Sequence, residues 1–304
     1  MSHLEIAALR AVMAARPKPK DIAEMRHNID ARGLSNEVAA DVTIEAVDAG
    51  GVKAEWTSTP NADPRRAILY VHGGGYVIGS LDSHRHAVSE IGRAAAARML
   101  ALDYRLAPEH PFPAPIEDSL AGYRYLLAAG FKPESIAIAG DSAGGGLVVA
   151  ALVAIRDAGL PQPACGWAIS PWVDMEGIGA SMTGKADEDP TVQKDGIAFM
   201  ARSYLNGADP RHPLAAPLYA DLTGIAPLLI QVGAAETLLD DSIRLAGVAG
   251  AAHVPVTLEV WPEMIHVWHV YHPNLAAGRR AIERGGAYVR EVMDGNPPVD
   301  SRAG

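Results

Sequence analysis

Residues 136–147 read IAIAGDSAGGGL, an apolar run that ends in Gly140-Asp141-Ser142-Ala143-Gly144. A serine with glycine two places before it and two places after it suits a sharp strand-to-helix turn that exposes the hydroxyl. The glycines meet a steric demand, since a strained serine backbone leaves no room for side chains between the flanking strand and helix. An apolar strand-like run precedes the motif and the small-residue helix GGGLVVAALVAI follows it, the context such a turn requires. A hydroxyl displayed this way becomes a nucleophile when a nearby base takes its proton.

The chain has 11 histidines, and position removes most of them as that base. His266 follows the last strand-like run, in VTLEVWPEMIH, in a loop just before a terminal helix. The chain order serine, acid, histidine puts the base at such a place. His269 and His272 follow at spacings of three. No H-E-x-x-H spacing accompanies the trio, so a metal site is not expected, and His269 and His272 are read as packing residues at the surface or facing a cap. The acid is sought after PLLIQVG, where AAETLLDDS offers Glu236, Asp240 and Asp241. The two aspartates open the next helix, where capping or the helix dipole accounts for them. A carboxylate that orients a histidine through Nδ1–H must reach in from the loop, which favours Glu236.

A third element must stabilise the charge that develops on the attacked oxygen. HGGGYVIG, residues 72–79, directly follows the strand-like run AILYVH. Three consecutive glycines let backbone N–H groups converge on an oxygen without Cβ interference, and the N–H of Ala143 completes such an oxyanion site. The loop lacks the frame of a dinucleotide-binding or phosphate-binding loop. Nearby polar residues have structural readings. Asp103, Tyr104, Arg105 and Glu109 are expected to form a buried network bracing the glycine loop, His72 to anchor it and Asp141 to fix the serine turn. Tyr76 either lines an acyl pocket or packs.

These residues need a scaffold that brings strand ends together. VTIEAV (42–47) and VKAEWTS (52–58) flank a Gly-Gly turn and read as a hairpin. Six further strand-like runs follow at 67–72, 99–104, 135–140, 165–170, 227–233 and 256–261, nearly all apolar, as parallel strands covered on both faces must be. Helices are expected between them at 84–97, 116–129, 143–158, 240–251 and 276–292. The pattern is α/β: a mostly parallel eight-stranded sheet with helices on both faces. Residues 1–40, two helices split at Pro17 and Pro19 and ending near Gly33, and residues 174–215, a strand-free excursion with a helix at 195–205, stand outside that rhythm. Both are read as a helical cap over a catalytic core of residues 41–173 and 216–304, placed where open α/β sheets bind ligands. The tail DGNPPVDSRAG is expected to fray.

Composition narrows the partners. The 304 residues are 49% hydrophobic and 20% charged, with ample core for a soluble protein. A net charge of -10 and the lack of any Lys/Arg run argue against nucleic acid and anionic membrane. Cys165 is the only cysteine and lies in an apolar run, so it is expected to be an inert buried thiol. The N-terminus has no continuous apolar stretch and is not read as a signal peptide. The setting expected is cytoplasmic, with the oligomeric state open, a homodimer included.

HGGGYVIG, DYRLAPEHPFPAP, GDSAGGGL and the order Glu236…His266 together resemble the hormone-sensitive-lipase-like, or bacterial family IV, carboxylesterases of the α/β-hydrolase fold. The resemblance covers nearly the whole chain. It implies a Ser142–Glu236–His266 triad, an oxyanion hole of Gly74, Gly75 and Ala143, and no cofactor. It also implies hydrolysis of short- to medium-chain carboxylic esters through an acyl-enzyme on Ser142. Where the family usually has D-P-L-x-D, this chain has E-T-L-L-D, which puts Glu236 at the catalytic position and Asp240 at the later aspartate. Two alternatives stand beside this reading: an ε-lactone hydrolase using the same triad, and a non-catalytic small-molecule receptor on the same fold. The presence of His266 weighs against the receptor.

Overall fold

The computed structural model describes residues 2–17 and 19–296. Most of the tail expected to fray, from residue 297 on, lies outside the described residues. In chain order the helices are α1 (Ser2–Ala14), α2 (Ile22–Leu34), α3 (Leu81–Ala95), α4 (Ala114–Ala128), α5 (Ala143–Asp157), α6 (Ser181–Gly184), α7 (Lys194–Leu205), α8 (Leu239–Ala251) and α9 (Ala276–Met293). The strands are β1 (Thr43–Asp48), β2 (Lys53–Ser58), β3 (Asp63–Val71), β4 (Ala97–Leu102), β5 (Ile136–Asp141), β6 (Cys165–Ile169), β7 (Leu228–Gly233) and β8 (Val256–Trp261).

The strands form one sheet in the order β1-β2-β4-β3-β5-β6-β7-β8. The β1–β2 hairpin pairs antiparallel with β4, and every pairing from β4 through β8 is parallel. Alternation along the central strands sends side chains into two cores. Leu69, Val71, Ile136, Ile138 and Ile230 pack with α4, α5 and α8 on one face. Ile68, Tyr70, Ala137, Ala139 and Leu229 pack with α3 and α9 on the other. Burial on both faces is why these strands carry almost no polar residue.

Two starts differ by more than two residues from the sequence expectation, that of β3, at Asp63, and that of α3. Helix α3 starts three residues earlier than expected, at Leu81, because Ser80 and Ser83 exchange side-chain and backbone hydrogen bonds as a capping box. It ends at Ala95, with Ala96 in the left-handed conformation at φ 48°, so β4 begins at Ala97 and leaves Asp103 and Tyr104 beyond its end. A serine at the third helical position in place of the usual Glu or Gln hid the cap from the sequence pattern.

The two segments outside the β-α rhythm pack at different places. Helix α1 places Ile6 and Met13 against Met264, Ile265 and Trp268, beside His266 in sequence. Helix α2 packs on α3, and α7 adds Ala201, Tyr204 and Leu205 to the core on the α5 side. Among the described residues no helix is long and apolar enough to cross a membrane.

Candidate active site

Ser142 stands between the end of β5 and the first residue of α5, with φ 55° and ψ -120°. A serine at positive φ is strained and persists only where its surroundings over-determine it. Here its N–H donates to the Ile169 carbonyl at 2.8 Å, and its own carbonyl accepts from Trp172 and Gly146 at 3.0 and 3.1 Å. A Cβ at Gly144 would run into the carbonyl oxygens of Val71 and His72, and one at Gly140 into those of Val71 and Gly144. Glycine at both positions lets α5 press its first turn onto the end of β3. The free N–H groups and positive dipole end of α5 therefore lie at Ser142, a favourable place for a developing negative charge.

The loop after β8 delivers His266, whose Nε2 lies 2.9 Å from Ser142 Oγ. On its other side Nδ1 lies 3.3 Å from Glu236 Oε1. Glu236 is fully buried, and its Oε2 accepts from Ser170 Oγ at 2.9 Å and from the Gly233 N–H at 3.1 Å. Ser170, just past β6, also accepts from the Val267 N–H at 3.2 Å and so ties the acid loop to the histidine loop. Backbone bonds from Ala234 to Trp261 and from Ala235 to Met264 hold the same two loops together. Burial alone would lower the His266 pKa, but the hydrogen bond and charge of Glu236, aided by Asp189 and Asp141, outweigh it and leave it raised. Chemically, this line of groups can carry a proton from the serine to the imidazole and hold the resulting cation.

Asp141 joins the serine turn to the glycine loop. Its Oδ1 accepts from Tyr70 Oη at 2.7 Å and from the Gly73 N–H at 3.1 Å, and its Oδ2 lies 3.4 Å from His84 Nε2. Burial opposes its charge, yet His84, Tyr70 and His72 together bring the pKa down to about 2. Gly74 takes φ 117°, and a Cβ there would strike the Ile78 carbonyl. His72 is buried, donates from Nδ1 to the Gly73 carbonyl at 2.7 Å and stacks on Tyr104. Burial, the dominant influence, takes its pKa down to about 4, which suits a loop anchor rather than a base at neutral pH.

The expected buried network at 103–109 divides into separate contacts. Tyr104 donates its hydroxyl to the His72 carbonyl at 2.7 Å. Asp103 instead pairs with Lys53, and Arg105 with Glu117 and Asp118. Glu109 is half exposed and binds Arg26 of α2. Residues just past a strand end face solvent unless a neighbour covers them, and only Tyr104 is covered. Arg26, which sequence reasoning did not single out, also donates to the Val77 and Ala107 carbonyls at 2.9 Å each, pinning α2 to the glycine loop.

The other histidines and acids go elsewhere. His269 is buried rather than at the surface, with Nε2 2.9 Å from Gln231 Oε1 and its ring against Trp268. Half-buried His272 stacks on His86. The trio is thus dispersed, and among the described residues no three His, Cys, Asp or Glu side chains gather as a metal-holding group. Asp240 binds the Ser181 N–H at 2.8 Å, and Asp241 binds the Val173 and Asp174 N–H groups at 3.0 and 3.1 Å. Both lie in the first turn of α8, but Leu238 is its N-cap, so their carboxylates hold the 173–181 backbone instead of capping the helix. Burial raises the Asp241 pKa to about 7. Burial likewise pushes the Cys165 thiol up to about 12 and leaves it unreactive.

The 174–215 excursion lies against the glycine loop. A Cβ at Gly75 would meet the Met200 side chain of α7. The Tyr204 ring stacks on fully buried Tyr76 with centroids 3.8 Å apart, so Tyr76 packs. Asp189, another residue sequence reasoning missed, accepts from the Thr237 N–H at 2.9 Å, directly after Glu236 in the chain.

The family model described as the α/β hydrolase fold matches residues 68–270. A crystal structure of an esterase from the bacterial hormone-sensitive lipase family superposes with a TM-score of 0.92 at 50% identity, covering 96% of this chain and 97% of that one. This chain belongs to that family. Other relatives agree with the assignment. An acetyl-hydrolase from Streptomyces hygroscopicus is 52% identical over 246 residues, 81% of this chain and 82% of that protein. The esterase EstE5, crystallised and soaked with p-nitrophenyl butyrate, is 49% identical with a TM-score of 0.92, covering 95% of this chain and 99% of its own. As a hormone-sensitive-lipase-like carboxylesterase, the protein is a hydrolase of carboxylic esters.

Proposed function

We propose that this esterase hydrolyses short- to medium-chain carboxylic esters through an acyl-enzyme on Ser142, with His266 as general base and Glu236 as its orienting acid. The observation that carries the reading is the continuous line Ser142 Oγ–His266–Glu236, 2.9 and 3.3 Å between successive polar atoms. Neutral His266 takes the Ser142 proton at Nε2 as Oγ attacks the ester carbonyl. The N–H groups of Gly74, Gly75 and Ala143 receive the oxyanion, at the positive end of α5. Protonated His266 then gives its proton to the leaving alcohol, and a water molecule repeats the sequence on the acyl-enzyme.

Residues 1–40 and 174–215 serve in this reading as the cap over the core. Arg26 links the first of them to the glycine loop, and Met200 and Tyr204 bring the second over Gly75 and Tyr76. Side chains that close over the glycine loop favour small acyl groups, in keeping with the acetyl-hydrolase and the butyrate ester named for its relatives.

Ser142→Ala tests the scheme. It should lose turnover of p-nitrophenyl esters by about four orders of magnitude or more while keeping its thermal midpoint. Retained turnover would remove Ser142 from the reaction. Acyl chains from acetyl to decanoyl, with ε-caprolactone alongside, would establish the preference. Since His266 must be neutral to act as base, kcat/KM should be full above its pKa and fall as pH drops through it. The raised pKa places that acid limb above the ordinary imidazole value of 6.5. A limb at or below that value would mean that burial outweighs the charge of Glu236 at His266.

A further inference from the structure

We propose that Asp189 is a positioning residue for Glu236: its carboxylate ties the 174–215 excursion to the Glu236–Thr237 peptide and so couples the seating of that segment to the alignment of the acid behind His266. The inference rests on the reading of Glu236 as the triad acid.

Asp189 lies in the strand-free stretch KADEDP yet is only 2% exposed. Its Oδ1 gathers the excursion's own chain, accepting from the Thr191 N–H and hydroxyl at 2.8 and 2.7 Å and from the Val192 N–H at 3.0 Å. Its Oδ2 turns the other way and accepts from the Thr237 N–H at 2.9 Å. The Thr237 hydroxyl lies 3.2 Å from both Asp189 Oδ2 and the Val192 carbonyl and shares its single proton between them. Among the described residues no cation pairs with Asp189, and nearby Lys185 is bound to Glu188. A buried carboxylate without a counter-ion survives by accepting several hydrogen bonds, and these fix its position closely.

The Thr237 N–H belongs to the peptide that leaves Glu236. The Glu236 side chain is held by Ser170 and the Gly233 N–H, and its main chain on the far side is held by Asp189. Releasing that peptide lets the carboxylate turn away from His266 Nδ1, already at 3.3 Å. Asp189 also acts through its charge. The charged groups whose fields favour the His266 cation are Glu236 from the loop after β7, Asp189 from the excursion and Asp141 from the end of β5.

The experiment compares pH–rate profiles of Asp189→Asn, Glu236→Ala and the double variant on p-nitrophenyl butyrate. Asp189→Asn keeps the side-chain shape but removes the charge and places an amide N–H₂ against N–H donors. It is expected to lower kcat about tenfold with KM within about twofold. Its acid limb should move to lower pH by a few tenths of a unit or more, since a favourable negative charge is gone. In the Glu236→Ala background, adding Asp189→Asn should cost no more than about twofold in kcat, the share its charge carries alone, because the residue it aligns is absent. A kcat loss with the limb unmoved, a rise in KM alone, or full additivity in the double variant would mark Asp189 as an ordinary structural contact and overturn the proposal. Full activity of Glu236→Ala would instead remove the acid reading itself. Should Asp189→Asn fail to fold, Thr237→Val decides. It removes the shared hydroxyl and leaves the Asp189 charge, so kcat should fall about threefold with the limb unmoved, and wild-type kcat would overturn the proposal.

Discussion

At the end of β5, Ser142 is held by backbone packing: Gly140 and Gly144 press against the Val71 carbonyl, and main-chain bonds to Ile169, Trp172 and Gly146 fix a positive φ. At the end of β7, Glu236 is held by polar side chains and N–H groups, with Ser170 and Gly233 on its carboxylate and Asp189 on the next peptide. The two loops do comparable positional work by different physics. Steric fit in a close-packed turn has almost no intermediate setting, since an added methyl either fits or displaces a helix. Hydrogen bonds each contribute about 1 kcal/mol net and can be weakened singly, so the acid side of the site is adjustable.

The comparison can be broken at its steric end first. Gly144→Ala should remove essentially all esterase activity and lower stability by about 1–3 kcal/mol or more, because the new Cβ meets the carbonyl oxygens of Val71 and His72. Activity assay and thermal melt together check this, and a variant with wild-type values in both would refute the account of the turn. Next comes the acid. Glu236→Ala should lower kcat by about three to four orders of magnitude, as loss of a histidine-orienting carboxylate does elsewhere. Asp240→Ala should leave kcat within a few-fold and cost about 1 kcal/mol of stability, through the lost bond from the Ser181 N–H to its carboxylate. The reverse ranking would move the acid to Asp240. A smaller effect than that of Glu236→Ala is expected for Ser170→Ala, which leaves Glu236 with the Gly233 N–H and the Asp189-held peptide. A fall in kcat of about tenfold or less would mark a graded support, and a loss as large as that of Glu236→Ala would erase the distinction between the two ends.

Much of the fold was legible because parallel strands buried on both faces are written as apolar runs, and seven of the eight strands fall within two residues of those runs at both ends. The exception is β3, which begins at Asp63 because Asp63 pairs with Ala97 ahead of an irregularity in the register. Polar Arg65 and Arg66 at that end gave no strand signal. The Ser142 turn and the glycine loop were legible for a related reason: their constraints act between residues close in sequence, and glycine is the common solution.

The side-chain partnerships were harder to read. Glu236, Asp240 and Asp241 stand within six residues of one another, and local pattern alone gave only a preference among them. What separates them is distant. Glu236 meets Ser170 across 66 positions and His266 across 30, whereas Asp240 meets Ser181 across 59. His269, expected at the surface or under a cap, is buried against Gln231, a polar residue inside a strand whose partner no local pattern names. The amino-acid sequence by itself determined the strand-end turn at Ser142, the glycine loop and the layered sheet, because those follow from short-range sterics and from continuous apolar runs, and its motifs carried the resemblance to the family. Only the tertiary structure decided which carboxylate stands behind His266, that Ser170 and Asp189 hold it there, and that Arg26 ties α2 to the glycine loop. A hydrogen bond between residues dozens of positions apart depends on where whole strands and helices pack, and one chain's composition and spacing do not record that.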